Sequence, residues 1–268
     1  MSQTPRLAAV FAHPDDDVYQ IGGSVALHAG SLDLTVVVCT SGDAGPIWVP
    51  ELATRETLAG VRETEERAAL ATVGAPDADV RFLRHGDWHL PEVPFDELVA
   101  EIEAILVEVA PDVVVTFGPD GLTSHHDHIR AGEAAAEAFE RARSPANGGH
   151  SFHRLYHTAL ARPDVDRFYA GVRELGEAFG EEHEVFNPVG VPEERIAARV
   201  DIGSVAERKL EGILAHRTQI GEWERIPEPL RWIHLEAECF VQAWPPRSED
   251  RSVVGDLFEG VRIGAGRN

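Results

Sequence analysis

The chain has 268 residues, 43% of them hydrophobic, and a formal net charge of -22, which suits one large α/β domain with a sizeable core and excludes a general binder of phosphate backbones. No stretch approaches the roughly 18 apolar residues of a membrane helix, and "MSQTPRLAAV" has no charged segment leading into a long apolar one, so no signal peptide is expected. Two cysteines, Cys39 and Cys239, make no disulfide framework, so a reducing cytoplasm is the expected compartment.

In chain order, "RLAAVFA" (Arg6 to Ala12) is a short continuous apolar run, the pattern of a strand buried on both faces. It ends at His13-Pro14, since proline cannot extend a central ladder. "IGGSVALHAG" (Ile21 to Gly30) reads as a short helix closed by glycine. "DLTVVVCT" (Asp33 to Thr40) is a second strand, with Cys39 as a small core residue, and "TSGDAG" is a turn. Ala53 to Ala75 reads as a long charged helix with Leu58, Val61, Ala68, Ala69 and Val73 as its inward stripe. "DVRFLRH" is a third strand, Phe95 to Pro111 an amphipathic helix, and "DVVVTFG" (Asp112 to Gly118) the clearest strand of all. His126 to Arg143 is helical, His153 to Leu160 and Arg195 to Ile202 are candidate strands, and Ser204 to Ile220 is a helix. The alternation implies βαβ units and a parallel sheet in a single domain spanning residues 1–268. The charged, Gly- and Pro-containing stretch 163–195 reads as an insertion or lid.

Ligands of open parallel sheets sit beyond the C-terminal strand ends. Two of those loops hold nearly all the reactive side chains: His13, Asp15, Asp16 and Asp17 in "AHPDDD", and His125 to His128 in "SHHDH". An isolated Asp triplet is usually a solvated turn, and histidines opening a helix are often merely exposed. Their conjunction on one sheet edge has the composition of a metal site, because imidazole and carboxylate suit zinc and its neighbours. A divalent cation would relieve the repulsion among the crowded carboxylates and leave one free as a base. If a helix begins near Ser124, that serine is its N-cap and His125 and His128 share its first turn. No GxSxG, GxGxxG, GxxxxGK[ST] or HExxH motif occurs. Arg62 alone would be read as pairing with Glu65 or Glu66 along its helix. Loop residues Trp48 and Trp88 suit either stacking on a sugar or capping the core edge.

"AHPDDD" followed by "GGS", "TSGDAG", "RETEERAAL" and "SHHDH" resembles the LmbE-like/PIG-L family of zinc-dependent N-deacetylases. That family includes N-acetylglucosaminyl-phosphatidylinositol de-N-acetylases, mycothiol- and bacillithiol-pathway enzymes and glycopeptide-antibiotic sugar deacetylases. The likeness spans about residues 7–160, and "KLEGILAHRTQ" extends it to about 220. It implies a Rossmann-like, mostly parallel sheet with helices on both faces. It implies one zinc held by His13, Asp16 and His128, with Asp15 as general base. It further implies protonated His125 assisting the oxyanion or acting as acid, Asp127 orienting or tuning His125, and Arg62 and Asp87 on the substrate. Two departures stand out: Asp17 where the family usually has Glu, and His126 where it often has Pro, the latter adding a possible competing ligand. The implied reaction is hydrolysis of the acetamide of an N-acetyl amino sugar in a small-molecule conjugate. Alternatives are an amidase cleaving a larger acyl group from a thiol-conjugated amino sugar, a non-catalytic sugar- or nucleotide-binding module, and a phosphoesterase. The last usually needs two metals and more ligands. No membrane or nucleic-acid partner is expected, and oligomeric state is not legible.

Overall fold

A computed structural model describes residues 4–144, 152–175, 188–247 and 252–264. In chain order its elements are β1 (Arg6–Phe11), α1 (Asp16–Leu27), β2 (Asp33–Thr40), α2 (Leu58–Thr72), β3 (Asp79–His85), α3 (Phe95–Val109) and β4 (Val113–Phe117). A short turn α4 (Gly121–Ser124), α5 (His126–Arg143), β5 (Arg154–Ala161), α6 (Arg162–Leu175), β6 (Gly190–Val191) and β7 (Ala198–Asp201) follow. The chain continues with α7 (Ala206–Ala215), α8 (Ile220–Glu224) and β8 (Ala237–Trp244).

The sheet runs β3-β2-β1-β4-β5-β8-β7, with β6 paired to β5. The pairs from β3 through β5 are parallel, and β8 is antiparallel to both its neighbours. The apolar runs of β1, β2 and β4 fill the middle, where burial on both faces requires continuous hydrophobicity. The chain passes from β1 to β2 on one side and returns to β4 on the other. The topological switch point, where ligands of such sheets bind, is therefore at the C-terminal ends of β1 and β4. No helix among the described residues is long and apolar enough to cross a membrane.

Three readings need correction. The first helix begins at Asp16, not Ile21. Asp15 is its N-cap, and Asp16 and Asp17 occupy its first turn, where carboxylates are favoured by the helix dipole. The inward face of α2 is not the stripe read from apolar residues. Ala68 is exposed, and Arg62, Glu65 and Glu66 are buried beside Leu58, Ala69 and Leu70. The helix read through Ile220 breaks at His216, and the chain turns through 217–219 into α8. Within the stretch read as an insertion, 163–175 lies in α6, anchored by buried Val165 and Phe168, and Gly190–Val191 pairs with β5. Residues 176–187 lie outside the described residues.

Candidate active site

Backbone strain gathers where the strands end. Asp15 after β1, Trp88 after β3, and Leu122 and Ser124 after β4 all have positive φ (107°, 69°, 64° and 63°). Such conformations cost about 1–3 kcal/mol each in non-glycine residues and persist where the surroundings hold them, typically at functional sites. Ser124 is not the N-cap of α5. His125 is, and its Nδ1 accepts the Asp127 main-chain N–H at 3.2 Å.

The two loops converge. His13 Nδ1 lies 3.2 Å from His128 Nε2, and Asp16 Oδ1 lies 3.4 Å from the same His128 nitrogen. One atom from each of the three residues falls within 4.8 Å of the others. Each imidazole is aimed from behind. His128 Nδ1 faces the Gly121 carbonyl at 3.1 Å, and the ring stacks on Phe117 at 4.1 Å. Gly132 brings α5 close to β4, since a Cβ there would lie 2.6 Å from the Phe117 carbonyl. His13 Nε2 faces Asp87 Oδ1 at 3.1 Å and Asp127 Oδ2 at 3.3 Å. With their outer nitrogens donating, His13 Nδ1 and His128 Nε2 present lone pairs to each other. Two lone pairs 3.2 Å apart beside a carboxylate fit a shared cation. Two imidazoles and a carboxylate are also the donor set of a catalytic divalent-metal site.

Asp15 stands beside this group and outside it. Its main-chain N–H donates to Glu66 at 3.0 Å, which holds the left-handed turn, and its carboxylate accepts from Arg62 at 3.1 Å. Burial pushes the Asp15 carboxyl up to about 7, with Arg62 opposing and Asp16 reinforcing the rise. Burial also opposes charge on Asp16, but His128 and His13 hold its pKa below the usual carboxylate range. For His13, burial disfavours the cation, yet Asp127, Asp16 and Asp87 outweigh it and raise its pKa. Burial, followed by the nearby His13 and His128, drives His125 down to about 4.

Burial and the two neighbouring imidazoles thus favour the neutral form of His125 over the protonated one implied by the resemblance. With Nδ1 accepting, its proton sits on Nε2. Asp127 has several partners. Its carboxylate accepts the Trp88 N–H (2.8 Å) and the Leu90 N–H (3.2 Å) and braces His13. It acts on His125 electrostatically, opposing the fall in its pKa, and through its own main-chain N–H. A second group, His13, His125 and Asp127, also brings one ligand atom from each residue within 4.8 Å of the others, and His126 belongs to neither candidate metal group; its Nε2 meets the Trp88 carbonyl at 3.0 Å. Arg62 does not pair with Glu65 or Glu66. It donates to the Gly42 and Pro14 carbonyls and to Asp15. Asp87, held to about 2 against its burial by His13, both orients that imidazole and faces the cavity.

A cavity of about 490 Å³ opens over these groups. Its far wall is built from residues that sequence reasoning missed: Tyr19 and Gln20 on α1, Gln219, Glu222 and Ile226 around α8, and His234. Trp88, 53% exposed, sits at its rim with its ring 4.7 Å from that of His125.

Residues 8–139 match the family described as PIG-L: GlcNAc-PI de-N-acetylase. A 1D-myo-inositol 2-acetamido-2-deoxy-alpha-D-glucopyranoside deacetylase of Geodermatophilus obscurus is 34% identical over 250 residues, covering 82% of this chain and 84% of that protein. The chain belongs to the PIG-L family. Solved structures place its fold. The N,N'-diacetylchitobiose deacetylase of Pyrococcus horikoshii superposes with a TM-score of 0.61 at 23% identity, over 88% of this chain and 83% of that one. The 4-carboxy-2-hydroxymuconate hydratase GalB of Pseudomonas putida superposes with a TM-score of 0.62 at 20% identity, over 94% of this chain and all of that one. A deacetylase and a hydratase therefore share this PIG-L architecture, and the fold alone does not choose the reaction.

Proposed function

We propose that this chain is a metal-dependent hydrolase that removes the acetyl group from an N-acetyl amino sugar carried in a small-molecule conjugate. An uncharged N-acetylglucosaminyl-inositol of the kind named for its relative is the first substrate to test. The observation that carries the reading is the convergence of His13, Asp16 and His128 beside a carboxylate, Asp15, that belongs to neither candidate metal group. The ion is zinc, one per chain. When bound, it supplies Lewis acidity to a carbonyl oxygen and to water. Asp15 takes the proton of the attacking water. The Nε2–H of neutral His125 donates to the oxygen that gains negative charge. A neutral imidazole is a poor acid, so the proton reaching the departing amine comes from Asp15 rather than His125. Arg62 and Asp87 bind the sugar, and Asp127 fixes His13. With Cys39 and Cys239 both buried and free, the working compartment is a reducing cytoplasm.

The experiment is acetate release from N-acetylglucosaminyl-inositol by zinc-loaded protein, with a longer N-acyl analogue run alongside. Turnover that disappears on chelation and returns with zinc is expected. Acetate release indifferent to chelation would end the metal reading, and preference for the longer acyl group would make the enzyme an amidase.

The base also sets a pH limb. Asp15 is active as carboxylate, so kcat/KM falls as pH drops through its pKa. That value is raised to about 7 by burial with Arg62 opposing, and a bound cation favours the carboxylate further. The acid limb is therefore expected below about 7. Arg62→Met removes one opposing charge and should move the limb upward; a pH profile of kcat/KM reads this, and an unmoved limb would detach it from Asp15.

A further inference from the structure

The lining of the cavity holds four carboxylates, those of Asp15, Asp16, Asp87 and Glu222, and Arg62 as its only Lys or Arg among the described residues. Three of the carboxylates have close partners. Asp15 is bonded to Arg62, Asp87 lies against His13, and Asp16 belongs to the ligand group. Glu222 differs in that, among the described residues, no cation is bonded to it. Its carboxylate takes a hydrogen bond from the Trp48 indole. Arg225, which acts on it electrostatically, lies outside the cavity lining with its guanidinium 4.4 Å over the Trp48 ring.

The position of Glu222 is built. Gly221 lets Trp48 press on α8, since a Cβ there would fall 2.1 Å from the indole. The Trp48 main-chain N–H donates to the Thr218 carbonyl, and Glu65 on α2 accepts from the Thr218 main-chain N–H and hydroxyl. Glu222 also acts electrostatically on Asp15 and Tyr19, and Arg62 acts on Glu222. Glu222 and Asp15 therefore line one cavity within electrostatic range of each other, on a wall that a substituent of a bound sugar would meet. Gln20, Tyr19 and Ile226 complete that wall and add no charge.

We propose that Glu222 is a specificity-determining residue, selecting amino sugars whose neighbouring substituent is uncharged or cationic and turning away those carrying phosphate or carboxylate there. This rests on the reading of the site as an amino-sugar N-deacetylase. A like-charge contact in a partly desolvated cavity is worth about tenfold or more in relative kcat/KM, and salt weakens it.

The test compares three substrates with the same acetamido sugar: the methyl glycoside, the aminoethyl glycoside and the 1-phosphate of N-acetylglucosamine. They are assayed with zinc-loaded enzyme at mildly alkaline pH, because burial raises the Glu222 pKa. Wild-type enzyme is expected to favour the first two over the 1-phosphate by about tenfold or more. Glu222→Gln keeps an acceptor for Trp48 and should narrow that ratio; Glu222→Lys should narrow it further. The wild-type ratio should also shrink with added salt, a measurement that needs no variant. Equal use of the three substrates, or a ratio unchanged in Glu222→Gln, overturns the assignment while leaving the deacetylase reading intact. Absence of acetate release from all three overturns both.

Discussion

Asp15→Asn is expected to keep the metal content of the purified protein and lose about 100- to 10,000-fold in kcat, the usual span for a general base. His128→Ala is expected to lose the metal itself. The contrast follows from geometry. Asp15 belongs to neither candidate metal group, whereas His128 Nε2 lies within 3.4 Å of both other members of its group. Asparagine has the shape of aspartate and keeps an oxygen for Arg62, and the main-chain bond to Glu66 does not depend on the side chain. The strained turn should therefore survive the substitution. Elemental analysis and acetate release on the two variants separate the roles. Undiminished turnover in Asp15→Asn would remove Asp15 as the base, and metal loss matching that of His128→Ala would make it a ligand.

The first-loop and second-loop residues were legible because each follows an apolar run that admits no reading but a buried strand. Parallel strands leave their C-terminal loops on one edge, so His13 and His128 meet although 115 residues separate them. The helix α2 was misread for a physical reason. An amphipathic reading turns charges outward, but Arg62, Glu65 and Glu66 recur at i, i+3 and i+4, which is itself a helical face. Buried against the strand-end loops, that face holds Asp15 by side chain and main chain and clamps Thr218. The periodicity was present in "RETEER"; the sign of its burial was not. The hydrogen bonds of Asp127 and His125 were not legible either, because they depend on which atom accepts from which N–H in one turn. The far cavity wall comes from α8 and His234, elements that meet α1 only through tertiary packing. β8 was missed because its apolar run is interrupted by Glu238, a residue whose partners lie in α1 and α7.

Those partners give the largest expected effect on stability. Lys209 and Glu238 form a buried ion pair at 2.8 Å. Glu238 also accepts the main-chain N–H groups of Gly23 and Ser24 and the Ser24 hydroxyl, at 2.7, 2.8 and 2.6 Å. Lys209 donates to the Tyr19 carbonyl at 2.7 Å. In a regular helix the Tyr19 carbonyl and the Gly23 N–H are each other's partners. The ion pair therefore serves both ends of one helical hydrogen bond in the middle of α1, one turn from Asp16. Breaking a buried pair by removing one member costs about 3–5 kcal/mol, because the other charge is left uncompensated. Lys209→Met leaves Glu238 with three donors, whereas Glu238→Ala leaves a buried ammonium with one carbonyl and strands the Gly23 and Ser24 donors. Glu238→Ala should therefore be the more damaging substitution. In many proteins an apolar replacement of both members is harmless. Here Lys209→Met with Glu238→Leu should remain clearly destabilised, since no apolar residue accepts from the two α1 N–H groups. Denaturant midpoints of the three variants decide the matter. Recovery of wild-type stability in the double variant would show that the carboxylate contributes nothing to α1 beyond balancing Lys209.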